Sequence, residues 1–108
     1  MTEVEARIVL VTAPSPAVGA DLCRALVEER LAACGNVVPG IRSIYRWQGE
    51  VTDEAEVLLV LKTVRGRVPE LIARTRELHP YEVPEIVVLD VETGHVPYLE
   101  WVTRETGS

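Results

Sequence analysis

The sequence predicts a mixed α+β chain in the order strand, helix, strand, strand, helix, strand, with a long central hairpin and a short helix at the end. Three observations carry this. Two β-type runs between Asn36 and Thr63 meet at Gln48-Gly49, and each is roughly ten residues or longer, above the usual strand length of about five or six. The runs Ile8 to Val11, Val57 to Leu61 and Ile86 to Leu89 are apolar at every position, as strands covered on both faces are. Two further segments repeat apolar residues at spacings of three and four, the period of an amphipathic helix.

Arg7 to Ala13 reads as the first strand. Pro14-Ser15-Pro16 stops it and opens a helix, with Ser15 as cap and Pro16 in the first turn. This helix is expected from Pro16 to Cys34, with Leu22, Cys23, Leu26 and Val27 as its apolar stripe and Gly35 as its stop. Arg30 falls near the stripe and reads as a side chain snorkelling past the sheet edge. In the hairpin's first arm, Ser43, Tyr45 and Trp47 share one face, and Arg42, Ile44 and Arg46 the other. Pro39-Gly40 predicts a bend or bulge there. Thr52 to Glu56 is polar and reads as an exposed start to the second arm. The second helix is expected over Gly66 to Leu78, with Pro69 tolerated in its first turn and Pro80 beyond its end. Glu85 to Val91 holds the last main strand. A third helix, from about Pro97 to Thr106, puts Tyr98, Leu99, Trp101 and Val102 on one side.

This order is the split βαβ, ferredoxin-like arrangement, with both helices on one face of an antiparallel sheet. The other face would then be bare, although its strands are apolar on both sides. At about 25 cal/mol per Å² of apolar surface, leaving it wet would forfeit many kcal/mol. No remaining segment is large enough to cover it. The hairpin would also project beyond the domain and expose unpaired edges. Packing against copies of itself in a closed ring meets both needs, and residues 1–108 form one domain of that assembly.

The net charge of −6 argues against a nucleic-acid backbone as partner, which calls for clustered Lys and Arg. Arg65, Arg67, Arg74 and Arg76 alternate with Glu70 and Glu77 and read as a solvated helix face. Cys23 and Cys34 form neither C-x-x-C nor a zinc spacing; both fall in the expected helical region and read as reduced structural thiols of a cytoplasmic protein. No signal peptide or membrane span is visible. There is no G-x-S-x-G, no phosphate loop and no H-E-x-x-H, so nothing points to catalysis.

Leu31-Ala32-Ala33-Cys34, Asn36, Val38-Pro39-Gly40, Ser43 to Gly49, Glu56 to Thr63, His79-Pro80-Tyr81-Glu82-Val83-Pro84-Glu85 and Tyr98-Leu99-Glu100-Trp101 together resemble the CutA divalent-cation-tolerance family, from Ile8 to Trp101. The resemblance implies a ferredoxin-like subunit, a tight homotrimer similar in architecture to PII-type signalling proteins, and a role in tolerance to copper and other divalent metals. Copper ligands proposed in some members are a Cys in the first strand and two adjacent His before the Pro-Tyr motif. Here Val11 and Leu78-His79 stand in those places, which leaves one imidazole where Cu(II) prefers several N and O donors.

The candidate residues each carry two readings. His79, with Glu82 or Glu85, offers metal ligands; alternatively it closes a helix end by meeting terminal carbonyls. Lys62 ends an apolar strand, and a charge there needs a partner: an anion in an intersubunit cleft, or Glu56, Glu82 or Glu85 in an ion pair between subunits. Tyr45, Trp47, Tyr81, Tyr98 and Trp101 line a ligand cleft or fill an interface. The expectation is a non-enzymatic homotrimer that needs no cofactor and binds a metal ion such as copper, or a small ligand, at intersubunit clefts near Trp47, Glu56, Lys62, His79, Tyr81, Glu82 and Glu85. The alternative is a PII-like regulator that binds an anionic metabolite and a protein partner. Neither nucleic acid nor membrane is an expected partner.

Overall fold

The computed structural model of the chain describes residues 4–107. Seven main elements follow in order: β1 (Ala6–Ala13), α1 (Pro16–Glu28), β2 (Cys34–Trp47), β3 (Glu50–Val64), α2 (Val68–Leu78), β4 (Ile86–Asp90) and α3 (Val96–Glu105), with a 3-10 turn at Arg65–Arg67. The strands form one antiparallel sheet in the order β2-β3-β1-β4. This is the expected mixed α+β chain, with a four-stranded sheet and three helices.

The hairpin arms are 14 and 15 residues long. Gln48 and Gly49 both have positive φ, 49° and 84°, the left-handed pair that matches the twist of a two-residue hairpin turn. The register shifts between Val38 and Ile41, so Pro39-Gly40 makes the bulge its composition predicts, with Gly40 at φ 80°. The hairpin stretches the molecule to 47 × 26 × 23 Å and a radius of gyration of 14.5 Å, against about 13 Å for a compact chain of this length.

Helix α1 starts as expected: the Ser15 hydroxyl accepts from the Val18 amide at 3.2 Å, and Pro16 follows it. It ends six residues earlier than the sequence reading places it. The Leu31 and Ala32 amides both return to the Leu26 carbonyl, at 2.9 and 3.2 Å, around Arg30 at φ 59°. Leu31 then turns into the core, and the Ala33 amide joins the Lys62 carbonyl at 2.8 Å. Cys34 is therefore the first residue of β2 and not helical. Gly35 is not a helix stop either. A Cβ there would lie 2.7 Å from both Cys23 Sγ and Leu61 Cδ2, so glycine lets α1 lie close on β2. Arg30 reaches the Glu105 carbonyl at 3.2 Å and its carboxylate at 3.5 Å, tying the α1 exit to the end of α3.

The core lies between the helices and one face of the sheet. Val9, Val11 and Ala13 of β1 and Val57, Leu59 and Leu61 of β3 pack with Leu22, Cys23 and Leu26 of α1 and Leu71 of α2. The alternate residues point to the opposite face. There Leu10, Leu58 and Val60 are half-buried, and Val87 and Leu89 are each 45% exposed. Strand register sets Leu10 beside both Val60 and Val87, so these side chains form a continuous apolar surface. Helix α3 packs on β1 and β3 at the end of the sheet where Cys34 begins β2. None of the described helices is long and apolar enough to cross a membrane.

Of the arginine group, Arg65 and Arg76 are exposed as expected, whereas Arg67 and Arg74 are half-buried: Arg74 lies against Glu29 and Glu77, and Arg67 lies against Glu70 and donates to the Thr106 carbonyl at 2.8 Å.

Candidate functional site

Glu56 continues the β3 row Leu58, Val60 and Lys62, yet it is only 7% exposed. The reason is the segment after α2, which folds over that end of the row. Pro80 follows the helix end and cannot extend it, and the chain runs on as loop to β4. Tyr81 then donates its hydroxyl to Glu56 Oε2 at 2.7 Å. Burial first, and the nearby Glu56 carboxylate second, raise the Tyr81 phenol far above its ordinary range.

His79 anchors this segment. Its amide caps α2 by bonding the Thr75 carbonyl at 2.9 Å. The Tyr81 amide donates to Nδ1 at 3.1 Å, so Nδ1 carries no proton. Nε2 must then carry the hydrogen and donate it to the Thr12 carbonyl at 2.7 Å, since a carbonyl can only accept. The ring also lies 4.7 Å from the Tyr81 ring. Both nitrogens are engaged, and the imidazole acts as a stitch between the end of α2 and the end of β1. The carbonyl it meets is on β1, not the helix-end carbonyl that the sequence alone points to.

Over this floor opens a cavity of about 660 Å³, lined by Tyr45 and Trp47 of β2, Glu56 of β3, and Tyr81, Glu82 and Glu85 of the loop. Tyr45 and Trp47 reach it together because they share the β2 face that also carries Ser43. Partial loss of hydration, then Glu54 and Glu56, raise the Tyr45 phenol as well. Five of the seven residues expected near the cleft thus meet in one place, Trp47, Glu56, Tyr81, Glu82 and Glu85, and His79 holds the Tyr81 segment from behind. Thr12, Ser43, Ile44, Pro80 and Val83 complete the wall, and of these Thr12 alone lies outside the quoted motifs. Thr12 is found only through its register on β1.

Lys62 is the exception. It lies six residues from Glu56 along β3, about 20 Å of extended chain, and its ammonium is held by the Asn36 side-chain oxygen. Cys34 is its register partner on β2, and the Cys34 thiol meets the Tyr98 hydroxyl at 3.4 Å. That contact first, then burial, push the Tyr98 phenol up to about 12. Tyr98 and Trp101 face each other at 5.6 Å, so these two aromatics belong to the Cys34 end and not to the cavity. Cys23 and Cys34 are free thiols, and burial raises the Cys23 thiol.

Among the described residues, no group of three or more His, Cys, Asp or Glu side chains is close enough to hold a metal ion. What the cavity gathers is aromatic surface with carboxylates and no basic side chain.

A profile of the family described as "CutA1 divalent ion tolerance protein" matches residues 7–105. The chain is 53% identical over 100 residues to the "Divalent-cation tolerance protein CutA" of Thermus thermophilus, covering 93% of this chain and 97% of that one. It is 48% identical over 98 residues to human "Protein CutA", covering 91% of this chain but 55% of the human one, so it spans about half of that relative. Among solved structures, a Thermus thermophilus divalent cation tolerance protein superposes with a TM-score of 0.92 at 52% identity, covering 94% of this chain and 99% of that chain. CutA1 of Oryza sativa gives 0.93 at 39% identity, covering 99% and 98%.

Proposed function

The chain belongs to the CutA1 divalent ion tolerance protein family, and from that premise we propose that it works in divalent-metal tolerance as a non-enzymatic homotrimer of ferredoxin-like subunits, taking a metal ion or a small ligand at clefts between subunits. The observation that carries the assembly is the uncovered sheet face. Leu10, Leu58, Val60, Val87 and Leu89 make one apolar surface, which favours contact with another copy. The projecting hairpin, with Ile44 66% and Val51 63% exposed, offers the neighbouring copy a second contact, and a closed ring leaves no hairpin unmatched. The cavity lined by Tyr81 and Glu56 lies beside both features and is the ligand cleft of this reading.

Copper is the metal to try first, with Glu82 and Glu85 as the exposed donors. His79 joins them only by giving up the Tyr81 amide or the Thr12 carbonyl. The free thiols Cys23 and Cys34 fit a reducing compartment, and we assign the protein to the cytoplasm. The PII-like alternative relied on Lys62 meeting an anion in the cleft; Lys62 stands outside it, bound to Asn36, so that reading has less behind it.

Sedimentation equilibrium at micromolar concentration tests the assembly: a mass of three subunits is expected, and a stable folded single subunit would overturn it. Calorimetric titration with Cu(II) tests the metal. Heat that weakens in a Glu82→Gln/Glu85→Gln variant fits this reading, and no heat in wild type removes the metal from it.

A further inference from the structure

We infer that the cleft selects an organic cation, a protonated amine or a guanidinium carried on an apolar body; this rests on reading the cavity as a ligand site and names what that site takes. The cavity of about 660 Å³ falls within the roughly 300–1,000 Å³ of small-molecule sites. Its walls are of two kinds. Tyr45, Trp47 and Tyr81 supply aromatic rings, and Glu56, Glu82 and Glu85 supply negative charge, with no Lys or Arg among the lining residues. An anionic ligand would meet three carboxylates there and no countercharge. Ring faces attract a cation and also bury the hydrocarbon that bears it.

Glu56 makes the case specific. It is buried, and the Tyr81 hydroxyl donates to its Oε2. A carboxylate has room for about four hydrogen bonds, and among the described residues no Lys or Arg forms an ion pair with it. A buried charge is ordinarily paired. An N–H-bearing cation would supply that pairing and place its carbon skeleton against Tyr45 and Trp47. A bare metal ion fits less well, because among the described residues no three His, Cys, Asp or Glu side chains come together to hold one and the rings have nothing to offer it.

Calorimetry of the assembled protein at neutral pH, with benzylamine against its neutral isostere benzyl alcohol, tests the inference. Benzylamine is expected to bind about tenfold tighter or more, the gain of one desolvated cation contact. Glu56→Gln should abolish that preference, read as the ratio of the two affinities. Should that variant fail to fold by circular dichroism, Glu82→Gln on the exposed loop should reduce the preference severalfold. Equal affinity for the two compounds would overturn the charge selection but leave the ligand cleft standing. Binding of neither would overturn the cleft itself, as when a neighbouring copy's own side chain fills it.

Discussion

The two faces of the sheet are built from the same strands and nearly the same residues, yet they end differently. On one, Val9, Val11, Leu59 and Leu61 are completely dry. On the other, their neighbours in sequence, Leu10, Leu58 and Val60, are half-buried, and Val87 and Leu89 stand largely in solvent. Composition does not cause the difference. The connections do: α1 returns the chain from β1 to β2 and α2 from β3 to β4, and both helices contribute to the same core cluster. Among the described residues nothing comparable crosses the other side, where α3 reaches the end near Cys34. A strand that is apolar on both faces thus reports that both will be covered, and not by which chain.

The largest effect should come from charging the open face. Val60→Asp puts a carboxylate in the middle of a surface that the trimer would bury, where an unpaired charge costs several kcal/mol. The expected result is loss of the three-subunit mass in sedimentation, with the subunit's circular dichroism retained. An unchanged mass would mean this face is not an interface, and the contrast between the faces would lose its proposed meaning.

A pair of neighbours sharpens the comparison next. Leu59→Ala removes a side chain from the sealed core and should cost about 2–5 kcal/mol. Leu58→Ala, one residue away and pointing the other way, should cost under about 1 kcal/mol in a dissociated subunit. Urea unfolding of both, in the Val60→Asp background, reads the difference. Equal losses would show that the open face is already as well packed as the core.

Much of this was legible in the sequence, because each piece rested on local chemistry. The runs 8–11, 57–61 and 86–89 are strands, Gln48-Gly49 is the turn and Pro39-Gly40 the bulge. The misreadings came where tertiary contact overrides the local signal. Helical periodicity carried on past Glu28, but Leu31 is drawn into the core and Thr63 donates its hydroxyl to the Leu31 carbonyl at 2.6 Å, which turns 31–34 towards the sheet. Gly35 looks like a helix stop and is a clearance for Cys23. Glu56 reads as exposed within an acidic stretch, and is buried because Tyr81, 25 residues on, closes over it. The His79 partner, Thr12, is 67 residues away, beyond any spacing rule. Lys62 shares a strand face with Glu56, and only distance along that face excludes it from the cavity.

The smallest effect concerns the two tyrosines that cover the ends of the open row, Tyr81 over Glu56 and Tyr98 against Cys34. Both phenols are raised, Tyr81 by burial and then by Glu56, Tyr98 by the Cys34 contact and then burial, to about 12. A tyrosine in the unfolded chain ionises near pH ~10. As pH rises past that value the unfolded state loses its phenolic protons first, and folding is disfavoured. The stability linked to these groups is therefore whole below about pH 10 and, for Tyr98, drains away as pH climbs towards about 12. Spectroscopic titration of tyrosinate should find both phenols ionising late in the folded protein, and Glu56→Gln should lower Tyr81 while leaving Tyr98 where it was. If Tyr81 instead titrates as a free phenol, the loop does not close over Glu56, and that end of the row is as open as its middle.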